Sequence, residues 1–262
     1  MARNNARGRT QPPIVLIARA SNRARELSRI LKRAGIRAAA VPVIRTAAPA
    51  SWRGLDRALK KLSGFDAAAF SSANAVEAFF TRARRLHLGK PKAPSRILAV
   101  GPATALALSR RGWRASLVAD NPGGANLARA AKNIGGLRVL VPRAAEGKND
   151  LIRGLRAKGA RVQAVEAYRS VPDPRQAAAL RRLASNPALA GAVFFSGSAV
   201  RAFRAHIGAR AWNRLRLGLR FAALGPTAAQ ALRAAGARKI MQASRADLKE
   251  LARLLVRALS PS

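Results

Sequence analysis

Ile14-Val15-Leu16-Ile17-Ala18-Arg19 is a short apolar run closed by an arginine, and 124 residues later Arg138-Val139-Leu140-Val141-Pro142-Arg143 repeats it without a gap. The same offset pairs Leu27 with Leu151, Gly35 with Gly159, Val41 with Val165, Phe70 with Phe194, Ser72 with Ser196, Phe79 with Phe203, Gly101-Pro102 with Gly225-Pro226, and Gly112 with Gly236. This is the mark of a duplicated unit, since the period is far too long for a solenoid. Within each copy, short apolar runs alternate with helical periodicity. Ile14 to Ala18 reads as a buried strand, Ser21 or Asn22 as the cap of a helix with Leu27, Ile30 and Leu31 on one face, Gly35 as its end, and Ile36 to Val41 as the next strand. After Pro42 the pattern predicts a helix near 52–62, a strand at 67–70, a helix from Asn74 and a strand at 97–100. A helix at 102–110, a strand reaching Val118 and a helix from Gly124 complete the copy. Strands alternating with helices give right-handed crossovers and parallel sheets, an α/β fold.

The chain has 262 residues, enough for one to two domains of about 150 residues. Of these, 61 are alanine, so the larger apolar side chains must be placed economically. Cysteine is absent, which excludes disulfides, thiolate nucleophiles and Cys-ligated metals and is compatible with a cytoplasmic location. No stretch approaches 18 uncharged apolar residues, so no membrane span is expected. Residues 1–13, with Arg3, Arg7 and Arg9 and no acid, read as a basic flexible arm. The net charge is +39, from 50 basic and 11 acidic residues. It divides as +18 over residues 14–137 and +18 over 138–261, with +3 in the arm. A charge of this size suits a polyanion, nucleic acid first, but its even spread argues against a dedicated binding face.

In open parallel sheets, ligands bind beyond the carboxyl ends of the strands, against helix N-termini. The polar residues collect at those places: Ser71-Ser72-Ala73-Asn74 and Ser196-Gly197-Ser198 after one strand, Gly101-Pro102-Ala103-Thr104 and Gly225-Pro226-Thr227 after another. Each is also an ordinary helix cap. Two copies of each suggest a cleft receiving several anions. Neither His87 nor His206 has a counterpart 124 residues away, and both read as surface or packing residues. Glu146 and Asp150 read as charges favoured by a helix N-terminus. There is no metal-ligand spacing, nucleophile elbow, Walker sequence or GxGxxG. An enzyme built from this inventory works by positioning, electrostatics and a proton donor. The single tyrosine, Tyr168, stands where the first copy has Ile44, in an extended stretch that reads as a connector.

From Ile14 to Leu259 the chain resembles the uroporphyrinogen-III synthase family. The resemblance is carried by Val15-Leu16-Ile17-Ala18-Arg19, Gly35 with Val41-Pro42-Val43-Ile44, Phe70-Ser71-Ser72-Ala73-Asn74-Ala75-Val76, and Val100-Gly101-Pro102-Ala103-Thr104-Ala105. Tyr168, Phe195-Ser196-Gly197-Ser198-Ala199-Val200 and Leu224-Gly225-Pro226-Thr227 continue it. Each motif is short; their order and spacing make the match. The resemblance implies two flavodoxin-like parallel-sheet domains, 14–41 plus 172–262 and 46–165, joined by connectors at 42–45 and 166–171 that the chain crosses twice. It implies a lyase acting in heme biosynthesis. That enzyme closes hydroxymethylbilane to uroporphyrinogen III with inversion of the terminal pyrrole and loss of water, without a cofactor or metal.

By the same resemblance, Tyr168 is the catalytic candidate, donating a proton or hydrogen bond to the departing hydroxyl. Ser72, Ala73, Asn74, Thr104, Ser196, Gly197 and Thr227 would bind substrate carboxylates, and Arg19 and Arg143, paired by the repeat, would add bidentate contacts. One departure stands out. The family commonly has threonine three residues after the glycine in both Gly-Pro turns; Thr104 satisfies this, whereas the second copy has Ala228 there and Thr227 one residue early. A monomer is expected. The alternative is a non-enzymatic nucleic-acid or polyanion-binding protein, opposed by 5% aromatic content and the lack of a helix-turn-helix or zinc finger.

Overall fold

The computed structural model describes residues 11–19, 21–121, 123–244 and 247–259. Along the chain the elements are β1 (Ile14–Ile17), α1 (Asn22–Arg33), β2 (Arg37–Ala40), β3 (Ile44–Ala47), α2 (Arg53–Lys60), β4 (Ala67–Phe70), α3 (Ala73–Arg85) and β5 (Arg96–Ala99). Next come α4 (Pro102–Arg110), β6 (Leu117–Val118), α5 (Gly124–Ala130), β7 (Arg138–Ala144), α6 (Asp150–Ala157), β8 (Arg161–Pro172) and α7 (Ala177–Ala184). The last are β9 (Leu189–Phe194), α8 (Gly197–Gly218), β10 (Arg220–Ala223), α9 (Pro226–Ala234), β11 (Ile240–Gln242) and α10 (Leu248–Leu259). The first ten residues of the expected basic arm lie outside the described residues.

The strands form two sheets, ordered β11-β10-β9-β1-β2 and β3-β8-β7-β4-β5-β6. Every strand pair with a described register is parallel. The offset of 124 maps β1, β2, β4, β5 and β6 onto β7, β8, β9, β10 and β11. Numbered within a copy, each sheet therefore has the flavodoxin-like order 2-1-3-4-5. Strands 1 and 2 of each sheet come from one copy, and strands 3, 4 and 5 from the other. The two copies have exchanged halves. One compact unit accordingly takes residues up to Arg45 and from Val171 onward, and the other is Thr46–Ser170.

The crossing segments are themselves strands. In the second copy β8 runs unbroken, whereas in the first copy the same stretch is split into β2 and β3 around Pro42. Proline lacks the N–H that a ladder needs, and its counterpart Glu166 has one. Val43 roots the first crossing: its carbonyl accepts the Asp173 N–H at 3.1 Å and lies 3.1 Å from His206 Nε2. A carbonyl only accepts, so this ring nitrogen of His206, which is buried in α8, is the donor of the pair.

Alternating side chains serve the two faces of each sheet. Ile14 and Leu16 join one core while Val15 and Ile17 join the other, and Ala68 and Phe70 alternate likewise with Ala67 and Ala69. Double coverage explains why these strands read as unbroken apolar runs. The scarce aromatics are concentrated. Phe70, Phe79, Phe80 and Trp113 stack edge-on or tilted in one unit, and Phe194, Phe203, Trp212 and Phe221 in the other. The copies diverge after the helix following their third strand. α3 gives way to a loop, whereas α8 breaks at Gly208, where φ is 79°, and resumes to Gly218.

Candidate functional site

Ser72 and Ser196 are the N-caps of α3 and α8, their hydroxyl oxygens accepting from the N–H groups of Ala75 and Ala199 at 3.1 and 3.3 Å. Gly101 and Gly225 cap α4 and α9, each followed by proline in the first turn, where a missing N–H costs nothing. These four helix N-termini stand at the carboxyl ends of β4, β9, β5 and β10, as the sequence predicts.

Tyr168 reaches this edge through an irregularity in the ladder. Arg143 pairs with Glu166 but Ala144 pairs with Tyr168, so Ala167 is an extra residue in β8. A bulge breaks the two-residue alternation and re-aims a side chain. Ala167 and Tyr168 are consecutive and both buried, with the ring packed in the same core as Phe70 and Val165. The phenol oxygen lies 3.0 Å from Ser72 Oγ. Two residues 96 apart in sequence, both singled out from sequence, thus share a hydrogen bond.

The other candidates divide between the units. Thr104 is buried in the first turn of α4, which follows β5, the neighbour of the strand before Ser72, and Arg143 is the penultimate residue of β7, the neighbour of Tyr168's strand. Ala73 and the exposed Asn74 open α3. In the unit containing β1, Arg19 follows β1, Ser196 and Gly197 follow β9, and Thr227 follows β10. Gly197 is a close-approach position: a Cβ there would sit 3.0 Å from the Thr227 carbonyl oxygen and 3.2 Å from the Ala231 methyl. Ala228 is fully buried, matching Thr104 in place but lacking its hydroxyl, while Thr227 is half-buried.

The paired arginines differ. Arg143 donates to the carbonyls of Ala144 and Gly147 and to Asn149 Oδ1, stapling the turn after β7. Arg19 lies over the Phe195 ring, 5.8 Å from its centroid. Partial burial, and then neighbouring Arg23, lower its pKa. Asp150 opens α6, but Glu146 lies before that helix and accepts the Ser170 N–H at 3.2 Å. Its role is therefore to hold the end of β8 rather than to favour a helix terminus. Ser198 lies outside the candidates drawn from the sequence. Its hydroxyl lies 3.0 Å from Ser196 Oγ, giving that cap the partner Tyr168 gives Ser72. The Ser-x-Ser spacing on a helix's first turn was the available signal.

The family model for uroporphyrinogen-III synthase HemD matches residues 25–253. The chain belongs to the uroporphyrinogen-III synthase family. A uroporphyrinogen-III synthase of Synechococcus elongatus is 30% identical over 158 residues, 60% of either chain. The match thus spans about three-fifths of that relative's length. Among solved structures, a mutant uroporphyrinogen III synthase of Thermus thermophilus superposes with a TM-score of 0.61 at 21% identity, covering 94% of this chain and 98% of the other. The Helicobacter pylori uroporphyrinogen-III synthetase gives 0.60 at 15% identity, covering 94% and 99%. At these identities the structures show the shared fold of the uroporphyrinogen-III synthases. Among the described residues, no helix is long and apolar enough to cross a membrane.

Proposed function

We propose that the protein is a uroporphyrinogen-III synthase, cyclising hydroxymethylbilane to uroporphyrinogen III with inversion of the terminal pyrrole ring and loss of water, a step of heme biosynthesis. Beyond family membership, the observation that carries the reading is the chain of groups from Ala75 N–H to Ser72 Oγ to Tyr168. Ser72 Oγ already accepts from Ala75, so its own hydrogen is free to point at the phenol oxygen. The phenol hydrogen is then left for the substrate hydroxyl. Donation into the phenol oxygen, backed by the positive end of α3, stabilises the charge that builds there as the proton leaves.

The bonds balance without a further reactant. Tyr168 delivers a proton to the hydroxymethyl oxygen, the C–O bond breaks, and water departs from an azafulvenium cation. The substituted carbon of the terminal pyrrole attacks that cation to form a spiro intermediate. Fragmentation and reclosure at the other carbon invert the ring, and the proton lost on rearomatisation restores the phenol. The reaction is redox-neutral and calls for no cofactor. The bilane also closes unaided to the uninverted isomer, so selectivity depends on holding one folded conformation. Ser72, Ala73, Asn74, Thr104, Ser196, Gly197 and Thr227 present N–H and hydroxyl groups to its acetates and propionates, with Arg19 as a cation. Arg143 contributes chiefly by shaping the turn beside Tyr168.

The test gives the purified protein fresh hydroxymethylbilane and separates the product isomers. Isomer III must dominate; isomer I alone would overturn the assignment. The reading carries with it a cytoplasmic monomer. Net charge also supports weak nonspecific association with nucleic acid, recognised by an affinity that falls steeply with salt.

A further inference from the structure

At the opposite edge of the Thr46–Ser170 unit's sheet, beside the start of β4 and β5, lies a cavity of about 430 Å³. Its apolar wall is Leu59, Leu62 and Phe65, all buried, with Leu88 exposed beside them. Lys60, Lys90 and Lys92 also line it. The one carboxylate, Asp66, accepts the Arg138 N–H at 2.8 Å. None of the three lysines belongs to the four ion pairs among the described residues.

The duplication provides an internal control. The cavity's far wall is the loop after α3, carrying Pro91 and Pro94 and pinned by the Trp113 indole N–H on the Pro91 carbonyl at 2.9 Å. In the other unit the aligned residues are the last turns of α8, and the counterpart of Leu88 is Trp212. Trp212 is buried against Phe203 and Phe221. In the Thr46–Ser170 unit the ring packed on Phe79, the counterpart of Phe203, is Trp113, supplied from another position of the chain, and Leu88 is left exposed beside the lysine-rimmed cavity. A cavity of about 150 Å³ holds benzene, so this one has room for two fused rings with a charged substituent.

We propose that this cavity is a binding site for a small aromatic anion, a bicyclic carboxylate or sulfonate. The rings would pack on Leu59, Leu62 and Phe65 and the anion would meet Lys60, Lys90 and Lys92. The site does not include Ser72, Thr104 or Tyr168, which stand at the carboxyl ends of the strands. It rests on the fold and not on the proposed reaction. Titration calorimetry in physiological salt uses 2-naphthoate as the probe and uncharged 2-naphthamide as its isostere. One saturable site is expected, with the amide at least fivefold weaker. The double variant K90E/K92E lowers naphthoate affinity at least tenfold and leaves the amide within twofold. Leu88→Trp, which sets a larger ring at the cavity's rim, lowers both at least tenfold.

A charge-matched control, R233E/R253E on exposed helix positions of the other unit, leaves naphthoate binding within twofold. No saturable binding, or equal losses in the two charge-reversed variants, would overturn the proposal. Thermal melts and circular dichroism, unchanged in all variants, show that the chain remains folded.

Discussion

Tyr168→Phe removes one oxygen atom from a buried ring, so its effect on folding is small while its effect on proton delivery is direct. General acid catalysis is typically worth about 10² to 10⁴ in rate. Isomer III formation should fall at least about 100-fold with the thermal midpoint little changed; unchanged turnover would remove the role given to Tyr168. Ser72→Ala separates the relay from the acid. It leaves the phenol in place, costs about 1 kcal/mol for the lost cap, and should slow turnover by about tenfold through the missing donor to the phenol oxygen. Equal stability loss in Ser21→Ala, the cap of α1 and no part of the proposed site, with full turnover would show that the Ser72 effect is more than capping. The caps were legible in the sequence because Ser before a helical pattern has few other uses. The Tyr168–Ser72 bond was not, because it depends on β8 lying beside β7 and β7 beside β4, an order set by the exchange of halves. The bulge at Ala167 is also a property of strand register, which no single strand displays.

α2 and α3 are joined by Arg82, whose Nε and Nη2 reach the two Asp56 oxygens at 2.7 and 2.6 Å while its guanidinium lies 4.7 Å from the Trp52 ring centre. Both charged side chains are about four-fifths removed from solvent. The Arg82 hydrogen bond holds Asp56's carboxyl below the ordinary carboxylate range. In the unfolded chain Asp56 takes up its proton near pH 4; in the native protein it does so at lower pH. Between those values the unfolded state binds more protons, so stability falls as pH falls. Asp56→Asn should therefore cost about 1 kcal/mol at neutral pH, with the difference from the native chain shrinking as pH drops below about 4. Urea melts across that range measure it, and a pH-independent gap would show that the amide's geometry, rather than the charge, is responsible. Asp173, likewise lowered by Arg175, remains in the variant and bends both acid limbs alike. Most element boundaries were legible from periodicity. α8 beyond Gly208 was not, because its burial comes from Trp212 packing on residues distant in sequence.

The exchange of halves has a consequence for the whole chain. Residues 14–137 are one complete copy, yet they contain strands 1 and 2 of one sheet and strands 3, 4 and 5 of the other. Neither sheet can close from that fragment, and its apolar strand faces stay uncovered. Residues 44–172 cut across the repeat boundary but contain all six strands of one sheet, the aromatic cluster around Phe79 and the Tyr168–Ser72 pair. The duplication was plain in the sequence, whereas the exchange came only from family resemblance, since two tandem domains produce the same offset. The charge adds a second pressure. Because 14–137 carries +18 and 44–172 carries +17, either fragment is soluble when unfolded, and failure to fold will not be hidden by precipitation. Expressed separately, 44–172 should give a cooperative thermal melt followed by circular dichroism, and 14–137 a non-cooperative one with exposed apolar surface. The reverse result would mean that the sheets assemble from contiguous copies. A cooperative 44–172 would also allow Tyr168 and Ser72 to be studied without the helix N-termini of the other unit, and that fragment should bind tetrapyrrole carboxylates weakly without producing isomer III.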